Sequence, residues 1–215
     1  MKKPSSARRT KRRNNPDATK QDILNTATEE FANYGLSGAR VDRIAKKMRT
    51  SKRMIYYYFG SKEALYRTVL EQAYAGIRTS EAETRLDSAS PTEALRQLIE
   101  VTFDYEEAHP DFINLVSIEN LHHARYLAKA ASIRSLNIVI IKRLEDILAR
   151  GRAEGVFRSD IDALDVHMMI SALCFFRVAN RHTFNVLFSR DLSSPRVRTH
   201  HKRMISEAVL RLLAP

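Results

Sequence analysis

The chain has 215 residues, 44% of them hydrophobic, which is enough to bury a core in one small and one larger domain. Its formal net charge of +11 lies entirely within residues 1–62. Charge confined to one end indicates a polyanionic partner such as nucleic acid, and the sequence has no lipidation signal or apolar span that would favour a membrane. A single cysteine, Cys174, excludes an internal disulfide framework and favours a cytoplasmic location.

Residues 1–16 are strongly basic and hold almost nothing apolar, so they are predicted to form a disordered arm. The arm is either a solvated tail or a segment that contacts the minor groove of DNA transiently. A helix is then predicted to begin near Thr19 and to end at Gly35. Its inner apolar face consists of Ile23, Leu24, Ala27, Phe31 and Tyr34.

Residues 41–63 are predicted to form two short helices joined by a tight turn. The first has an apolar stripe made of Ile44, Ala45 and Met48. Ser51 can cap the second, whose predicted buried face is Met54, Ile55 and Phe59. Its other side chains are basic or aromatic, and they are Lys52, Arg53, Tyr56, Tyr57 and Tyr58. Three consecutive tyrosines point in three directions, so at least one faces outward, and such groups suit phosphates and base edges in the major groove of DNA.

Capping residues predict the helices in the rest of the chain. Ser61 is predicted to cap one helix. The run Ser90-Pro91-Thr92-Glu93 predicts the start of another, which ends before Pro110. Asp162 and Ser194-Pro195 mark two later starts. The remaining helices are predicted over 111–130, 132–153, 162–188 and 195–213, and since no useful strand alternation is found, the predicted fold class is all-α.

A few polar residues of the C-terminal helices are candidates for ligand or metal chemistry. Glu119 and His122 or His123 have the spacing of a carboxylate and an imidazole on one helix face. A single such pair is a weak metal signal, because bridged sites need ligands from other helices. Glu119, Asn120 and His123 are therefore predicted to form a polar wall in an apolar cavity, with no metal or cofactor. Cys174 is predicted to be a buried structural thiol.

The helix predicted over 162–188 is apolar nearly all round, which indicates burial on two sides. Arg177, Asn180 and His182 are the polar exceptions, and they either pair with carboxylates in a dimer interface or bind a ligand. If Arg177 reaches the cavity, its planar fork would prefer a carboxylate, so the ligand would be an aromatic or heterocyclic acid. The predicted apolar lining of the cavity includes Phe103, Phe112 and Val116.

A specific order of residues spans positions 23–67. It runs from Ile-Leu-Asn-Thr-Ala through Val-Asp-Arg-Ile-Ala to Ile-Tyr-Tyr-Tyr-Phe-Gly-Ser-Lys-Glu-Ala-Leu-Tyr. In this order the chain resembles the TetR family of bacterial transcriptional repressors. The resemblance implies an all-helical homodimer with an N-terminal helix-turn-helix and a divergent C-terminal ligand domain. Within the family, segments 112–126 and 164–184 are similar to regulators of heterocyclic and aromatic-acid catabolism.

The resemblance also implies roles for individual side chains. Arg53 and Tyr57 would face base edges, while Tyr56, Tyr58 and Lys62 would lie on phosphates. The family usually has Gly in the turn before the recognition helix, so Arg49 means either that the turn differs or that an arginine is tolerated there for a phosphate contact. Arg40 is either a phosphate contact or an ordinary exposed arginine. The predicted DNA contacts are Arg40, Arg49, Ser51, Lys52, Arg53, Tyr56, Tyr57, Tyr58 and Lys62.

The predicted domains are a basic arm (1–16), a three-helix DNA-binding domain (17–64) and a larger helical domain for effector binding and dimerisation (65–215). The chain is interpreted as a repressor that an effector releases from a pseudo-palindromic, double-stranded DNA operator. A small helical enzyme or a non-specific polyanion-binding adaptor is the alternative. The dimer is predicted to pack the last two helices through Met168, Ala172, Phe176, Ala179, His201, Met204, Ile205, Ala208 and Leu212. The predicted effector contacts are Phe103, Phe112, Val116, Glu119, Asn120, His123, Arg177 and Asn180.

Overall fold

The computed structural model describes residues 16–84, 86 and 88–215, and most of these lie in helices. The predicted arm therefore lies outside the described residues, apart from its last position. The elements are α1 (Pro16–Gly38), α2 (Val41–Lys47), α3 (Lys52–Phe59), α4 (Lys62–Glu83), α5 (Pro91–Ala108), α6 (Pro110–Leu121), a 3₁₀ helix (Leu127–Lys129), α7 (Ala131–Ala153), α8 (Ala163–Ala179), α9 (Arg181–Phe188) and α10 (Pro195–Leu213). No strand occurs in these ranges, so the all-α prediction is confirmed.

The predicted caps begin the helices as expected. The hydroxyls of Ser51, Ser61 and Ser90 each accept a hydrogen bond from the backbone N–H three residues later, and the Asp162 carboxylate does the same. Because these bonds satisfy donors that have no partner within the helix, they fix where α3, α4, α5 and α8 start.

The first helix continues past the predicted stop at Gly35. Gly35 has φ 62° and ψ 178°, a conformation almost restricted to glycine, and it kinks the helix there. The chain then makes one further helical turn to Gly38, which buries Leu36. Gly35 therefore interrupts α1, as the sequence indicated, but the helix ends only at Gly38.

Two predicted helix spans are wrong. The helix expected over 111–130 ends at Leu121, because His123 and Ala124 have φ values of 56° and 55° and turn the chain away. The helix expected over 162–188 is broken at Asn180, whose side-chain amide donates to the Phe176 carbonyl.

Among the described residues no single helix is long and apolar enough to span a membrane; α8 and α9 reach that length and composition only as a pair, bent by 64°.

The core consists of three apolar clusters, and α4 contributes to two of them. The N-terminal cluster joins α1 to α4 and also takes in Leu115 and Ile133 from the larger part of the chain. A second cluster lies among α5, α7, α8 and α10, and a third is built on Ile77, Phe112, Ile113 and Val178. Since α4 contributes to the first and third clusters, it packs both against α2 and α3 and against α6 and α8, so a shift of α4 would be felt by both sets of helices.

Candidate DNA-reading surface and interior polar sites

The α2–α3 pair is held by a narrow apolar seam. Ile44 and Ala45 of α2 and Ile55 and Phe59 of α3 are buried, as predicted. Met54 was expected in the same seam but is 39% exposed, since it lies about 100° around the helix from Ile55. Only one face of this short helix is therefore covered, and the rest is open to a partner.

The turn between α2 and α3 places Arg49 in the left-handed region, with φ 55°. The turn is closed by the Thr50 N–H, which donates to the Ala45 carbonyl at 2.9 Å. The chain thus keeps the conformation that glycine favours, and it does so with an exposed arginine. The turn therefore does not differ from the one that glycine would form, and a phosphate contact remains the predicted role of Arg49.

The open face of α3 carries the side chains predicted to contact DNA. Tyr57 is 77% exposed, and its ring packs edge-on against Tyr58, which is half-buried. Tyr56 and Arg53 are also exposed, and the Lys52 ammonium forms an ion pair of 2.6 Å with Asp42.

Three further predicted DNA contacts lie at helix starts. The exposed residue Arg40 precedes α2, and its backbone N–H donates to Glu30 Oε1 at 2.8 Å. The Ser51 hydroxyl accepts from the Met54 N–H, so it serves first as a helix cap. Lys62 is the first residue of α4, where unpaired backbone N–H groups and the helix dipole favour an anion.

The predicted polar wall on α6 is not brought together. Glu119 is buried, its Oε1 accepts from the Tyr66 hydroxyl at 3.0 Å, and its Oε2 accepts from the backbone N–H groups of Tyr126 and Leu127. This carboxylate therefore holds the loop after α6 against α4, while Asn120 and His123 are exposed. Burial and the Glu119 charge raise the pKa of Tyr66 far above its usual value, so the hydroxyl stays protonated and donates.

Arg177 is fully engaged inside its own protomer. Its side chain is 5% exposed and forms an ion pair with Glu107, which accepts from Nη1, while Nη2 donates to the Leu192 carbonyl at 2.6 Å. The guanidinium carbon also lies 4.5 Å from the centre of the Phe103 ring, and Nε donates to His201 Nδ1 at 3.3 Å. Arg177 thus joins α5, α8 and α10 within one protomer. Its contacts are neither those predicted with a ligand nor those predicted across a dimer interface.

The other predicted effector residues lie in three different places. Phe112 and Val116 pack in the third cluster, beside Tyr74 and Tyr105. Phe103 lies in the second cluster, and Asn180 ends α8. Of the predicted apolar lining, Phe112 and Val116 lie together and Phe103 lies apart from them, while the predicted polar residues are dispersed.

A buried polar cluster lies where the sequence predicted none. We call it the α4–α5–α8 cluster, and its members are Arg78, Glu81, Thr102, Glu106 and His167. Arg78 Nη1 is 2.7 Å from Glu81 Oε2, and the Thr102 hydroxyl is 3.3 Å from Glu81 Oε1. Burial and the Glu81 charge raise the pKa of Glu106 to about 8. Burial and the Arg78 charge lower the pKa of His167 to about 4.

The cluster was missed because its members look like surface charges in the sequence. Glu106 does, however, continue the helical series that contains Leu95, Leu98, Ile99 and Thr102, all of them buried. That periodicity was the one feature of the sequence that could have predicted the buried position of Glu106.

Cys174 is buried as predicted, and burial together with the nearby Glu106 raises the pKa of its thiol, which makes it inert.

Comparison with known proteins gives two family matches. Residues 23–69 match the family described as bacterial regulatory proteins, tetR family, and residues 91–209 match a tetracyclin repressor-like C-terminal domain. The chain is 38% identical over 195 residues to the HTH-type transcriptional repressor NicS of Pseudomonas putida, which covers 91% of this chain and 92% of that protein. It is 29% identical to the transcriptional repressor SCO4008 of Streptomyces coelicolor, over 76% of this chain and 80% of that one.

Solved structures have the same fold. The putative transcriptional regulator SCO4942 from Streptomyces coelicolor superposes with a TM-score of 0.68 at 29% identity, covering 92% of this chain and 99% of its own. The ketosteroid transcriptional regulator KstR2 of Mycobacterium tuberculosis also gives a TM-score of 0.68, at 22% identity and with 95% and 97% coverage. At that identity the second likeness concerns the fold alone.

Proposed function

The chain belongs to the TetR family of bacterial regulatory proteins and is a DNA-binding transcriptional repressor, and from this premise we propose that α3 is its recognition helix. Family members act as dimers on operators and respond to small molecules, and they are regulators rather than enzymes. The proposal assigns specific roles to the side chains of α3 and of the first turn of α4.

One observation carries the assignment. Ile55 and Phe59 bury one face of α3, and Tyr57 projects from the opposite side with more than three-quarters of its surface exposed. An exposed tyrosine on a well-anchored helix can reach base edges in the major groove. Lys62, at the N-terminus of α4, is instead placed to neutralise a phosphate.

The test compares Tyr57→Ala with Lys62→Ala. Tyr57→Ala should reduce the preference for operator over random DNA, each lost base contact being worth roughly 1–3 kcal/mol. Lys62→Ala should weaken binding to both duplexes alike and lower the slope of log affinity against log salt by about one. Binding is measured by fluorescence anisotropy over a salt series, with Lys142→Ala, an exposed lysine on α7, as the control. Equal losses on both duplexes in both variants would support a non-specific polyanion-binding adaptor instead.

We further propose that α8 and α10 form the dimer interface. Met168, Phe176 and Met204 are large apolar residues that are about half exposed or more, and they lie with Ala172, Ala179 and Ala208 on the predicted stripes. Two members of the predicted stripe do not belong to it: Ile205 is buried in the protomer core, and His201 contacts Arg177. Exposed apolar faces on two neighbouring helices support a four-helix interface with a symmetry mate.

A small planar effector that releases the repressor from DNA is the last part of the proposal. Phe112 and Val116 are retained as its apolar contacts, because they pack beside α4 in the third cluster. An effector that wedges against α4 there would move the same helix whose first turn follows α3. The acid class favoured by the sequence lost its support when Arg177 proved to be paired within the protomer.

A further inference from the structure

The short helix α9 has little support inside its own protomer. None of its eight residues is buried, and Val186, Leu187 and Phe188 are between 62% and 82% exposed. A helix of this length is marginal in water unless an apolar face of it packs against another surface. Because α8 and α9 meet at a bend of 64°, α9 also leaves the line of α8 instead of extending it. This helix therefore needs a surface that its own protomer does not supply.

Aromatic contacts make α9 a continuation of the apolar face of α8. Phe176 of α8 packs edge-on against Phe184 with ring centres 5.6 Å apart, and Phe184 packs in turn against Phe188 at 4.8 Å. The exposed apolar face of α8 has a residue at every fourth position, namely Leu164, Met168, Ala172 and Phe176. One continuous apolar stripe thus runs from the start of α8 to the end of α9.

The two ends of this stripe carry opposite charges. Residues 181–190 contain two arginines and no acidic residue, whereas residues 160–168 contain three aspartates and no Lys or Arg. Of these aspartates, Asp162 and Asp165 are exposed at the first turn of α8. Since α8 has 17 residues, its ends lie about 25 Å apart. The two ends match in apolar character and charge but cannot meet within one protomer, so they fit a second copy of the chain.

A two-fold dimer brings the two ends together if α8 crosses its symmetry mate in antiparallel orientation. In a two-fold interface each contact between two different surfaces occurs twice, once in each direction. Ala172 is exposed near the middle of α8, where a small side chain lets the two helices approach closely. A parallel pairing would instead place arginines beside arginines and aspartates beside aspartates, which is unfavourable. The charges therefore favour the antiparallel arrangement.

We propose that α9 docks on the start of α8 in the partner protomer. Phe184, Leu187 and Phe188 supply the apolar contacts of α9. They pack on Leu164 of the partner subunit and on the partner's Met168. The arginines that flank α9 then lie near the aspartates of the same helix start, and each protomer donates one helix and receives one. This inference deepens the proposed function, because it rests on α8 taking part in the dimer interface.

The test is thiol cross-linking of the full-length protein with a short bis-maleimide. The native thiol of Cys174 is buried and inert, so the parent protein supplies an unreactive background. The double variant Leu164→Cys/Leu187→Cys places a thiol on each of the two surfaces. It should give at least about tenfold more covalent dimer than either single variant, because only in the double variant do two thiols face each other across the interface.

Two further variants separate this proposal from that of the four-helix interface. Ala172→Cys alone should form a covalent dimer, because a thiol near the two-fold axis meets its own mate. Leu121→Cys/Leu187→Cys is the matched control, since Leu121 is as exposed as these residues but lies at the end of α6. It should give no more covalent dimer than Leu187→Cys does. All substituted residues are exposed, and thermal unfolding verifies that each variant is folded.

Three results would overturn the proposal. If Ala172→Cys cross-links but Leu164→Cys/Leu187→Cys does not, α9 fails to dock on the partner while the four-helix interface stands. If Leu187→Cys alone cross-links as well as the double variant, like ends meet and the antiparallel arrangement is wrong. If neither Ala172→Cys nor the double variant cross-links, the docking of α9 and the interface on α8 are both wrong.

Discussion

At the scale of single residues, two buried arginines behave differently. Arg177 contacts Glu107, the Leu192 carbonyl, His201 and the Phe103 ring, so every side of its guanidinium has a partner. Arg78 pairs with Glu81 through Nη1, and among the described residues its Nε has no hydrogen-bond partner. Burial lowers the pKa of both arginines, and the paired carboxylates oppose that shift. The guanidinium of Arg177 is thus fully paired within the protomer, whereas that of Arg78 is only partly paired among the described residues.

Arg177→Met should destabilise the protein strongly, because it leaves the buried Glu107 carboxylate without its inner partner. Breaking a buried pair by removing one member costs about 3–5 kcal/mol. Arg198→Met is a matched control, since Arg198 pairs with the same carboxylate at 3.0 Å from a side chain that is 42% exposed. That exposed pair should be worth at most about 1 kcal/mol. Thermal unfolding of both variants measures the difference. Monomers from Arg177→Met with an unchanged melting temperature would place the guanidinium in the dimer interface after all.

At the scale of elements, the turn between α2 and α3 combines strain with charge. An L-residue in the left-handed region costs roughly 1–2 kcal/mol relative to the right-handed one, and glycine avoids most of that cost. Arg49 adopts this conformation at φ 55° with its side chain exposed beside the helix that we propose reads DNA. A strained residue at such a place is expected where its side chain contributes to binding.

Arg49→Gly should therefore stabilise the folded protein while weakening its hold on DNA. We expect the free energy of unfolding to rise by up to about 1 kcal/mol, because the glycine removes the strain. Loss of one phosphate contact should lower the salt slope of DNA binding by about one. Arg49→Lys keeps both the charge and the strain and should change neither quantity much. A glycine variant with unaltered salt dependence would show that Arg49 makes no phosphate contact.

The elements that could be predicted from the sequence are those with local signals. Serine and aspartate caps fixed the starts of α3, α4, α5 and α8, since a cap needs only neighbouring residues. The end of α6 depends in part on a distant segment, because Glu119, which binds the N–H groups of the following loop, also accepts from the Tyr66 hydroxyl of α4. The α4–α5–α8 cluster was out of reach for the same reason, because its charges come from three helices far apart in sequence.

At the scale of the whole molecule, the proposed DNA-reading and dimerising surfaces lie on different helices. The charge of +11 belongs to residues 1–62, and α3 packs on α2 and α4. The exposed apolar side chains that we propose for the dimer surface lie on α8 and α10, which pack on each other and on α5. This separation allows the dimer to stay intact while α4 shifts, so that an effector could change the spacing of the two recognition helices without dissociating the protomers.

Phe176→Asp tests the dimer surface. Phe176 is half exposed on α8 and packs edge-on against Phe184 of α9, so a carboxylate there can stay hydrated in the monomer but not in a closed interface. We expect the dimer dissociation constant to rise at least about thirtyfold, the effect of losing roughly 2 kcal/mol at an interface anchor. Leu121→Asp, at a 74% exposed leucine that ends α6, is the control and should remain dimeric. Sedimentation equilibrium gives both constants, and thermal unfolding verifies that each variant is folded. If Phe176→Asp stays dimeric while Leu187→Asp dissociates, the interface runs through α9 and not through α8 and α10.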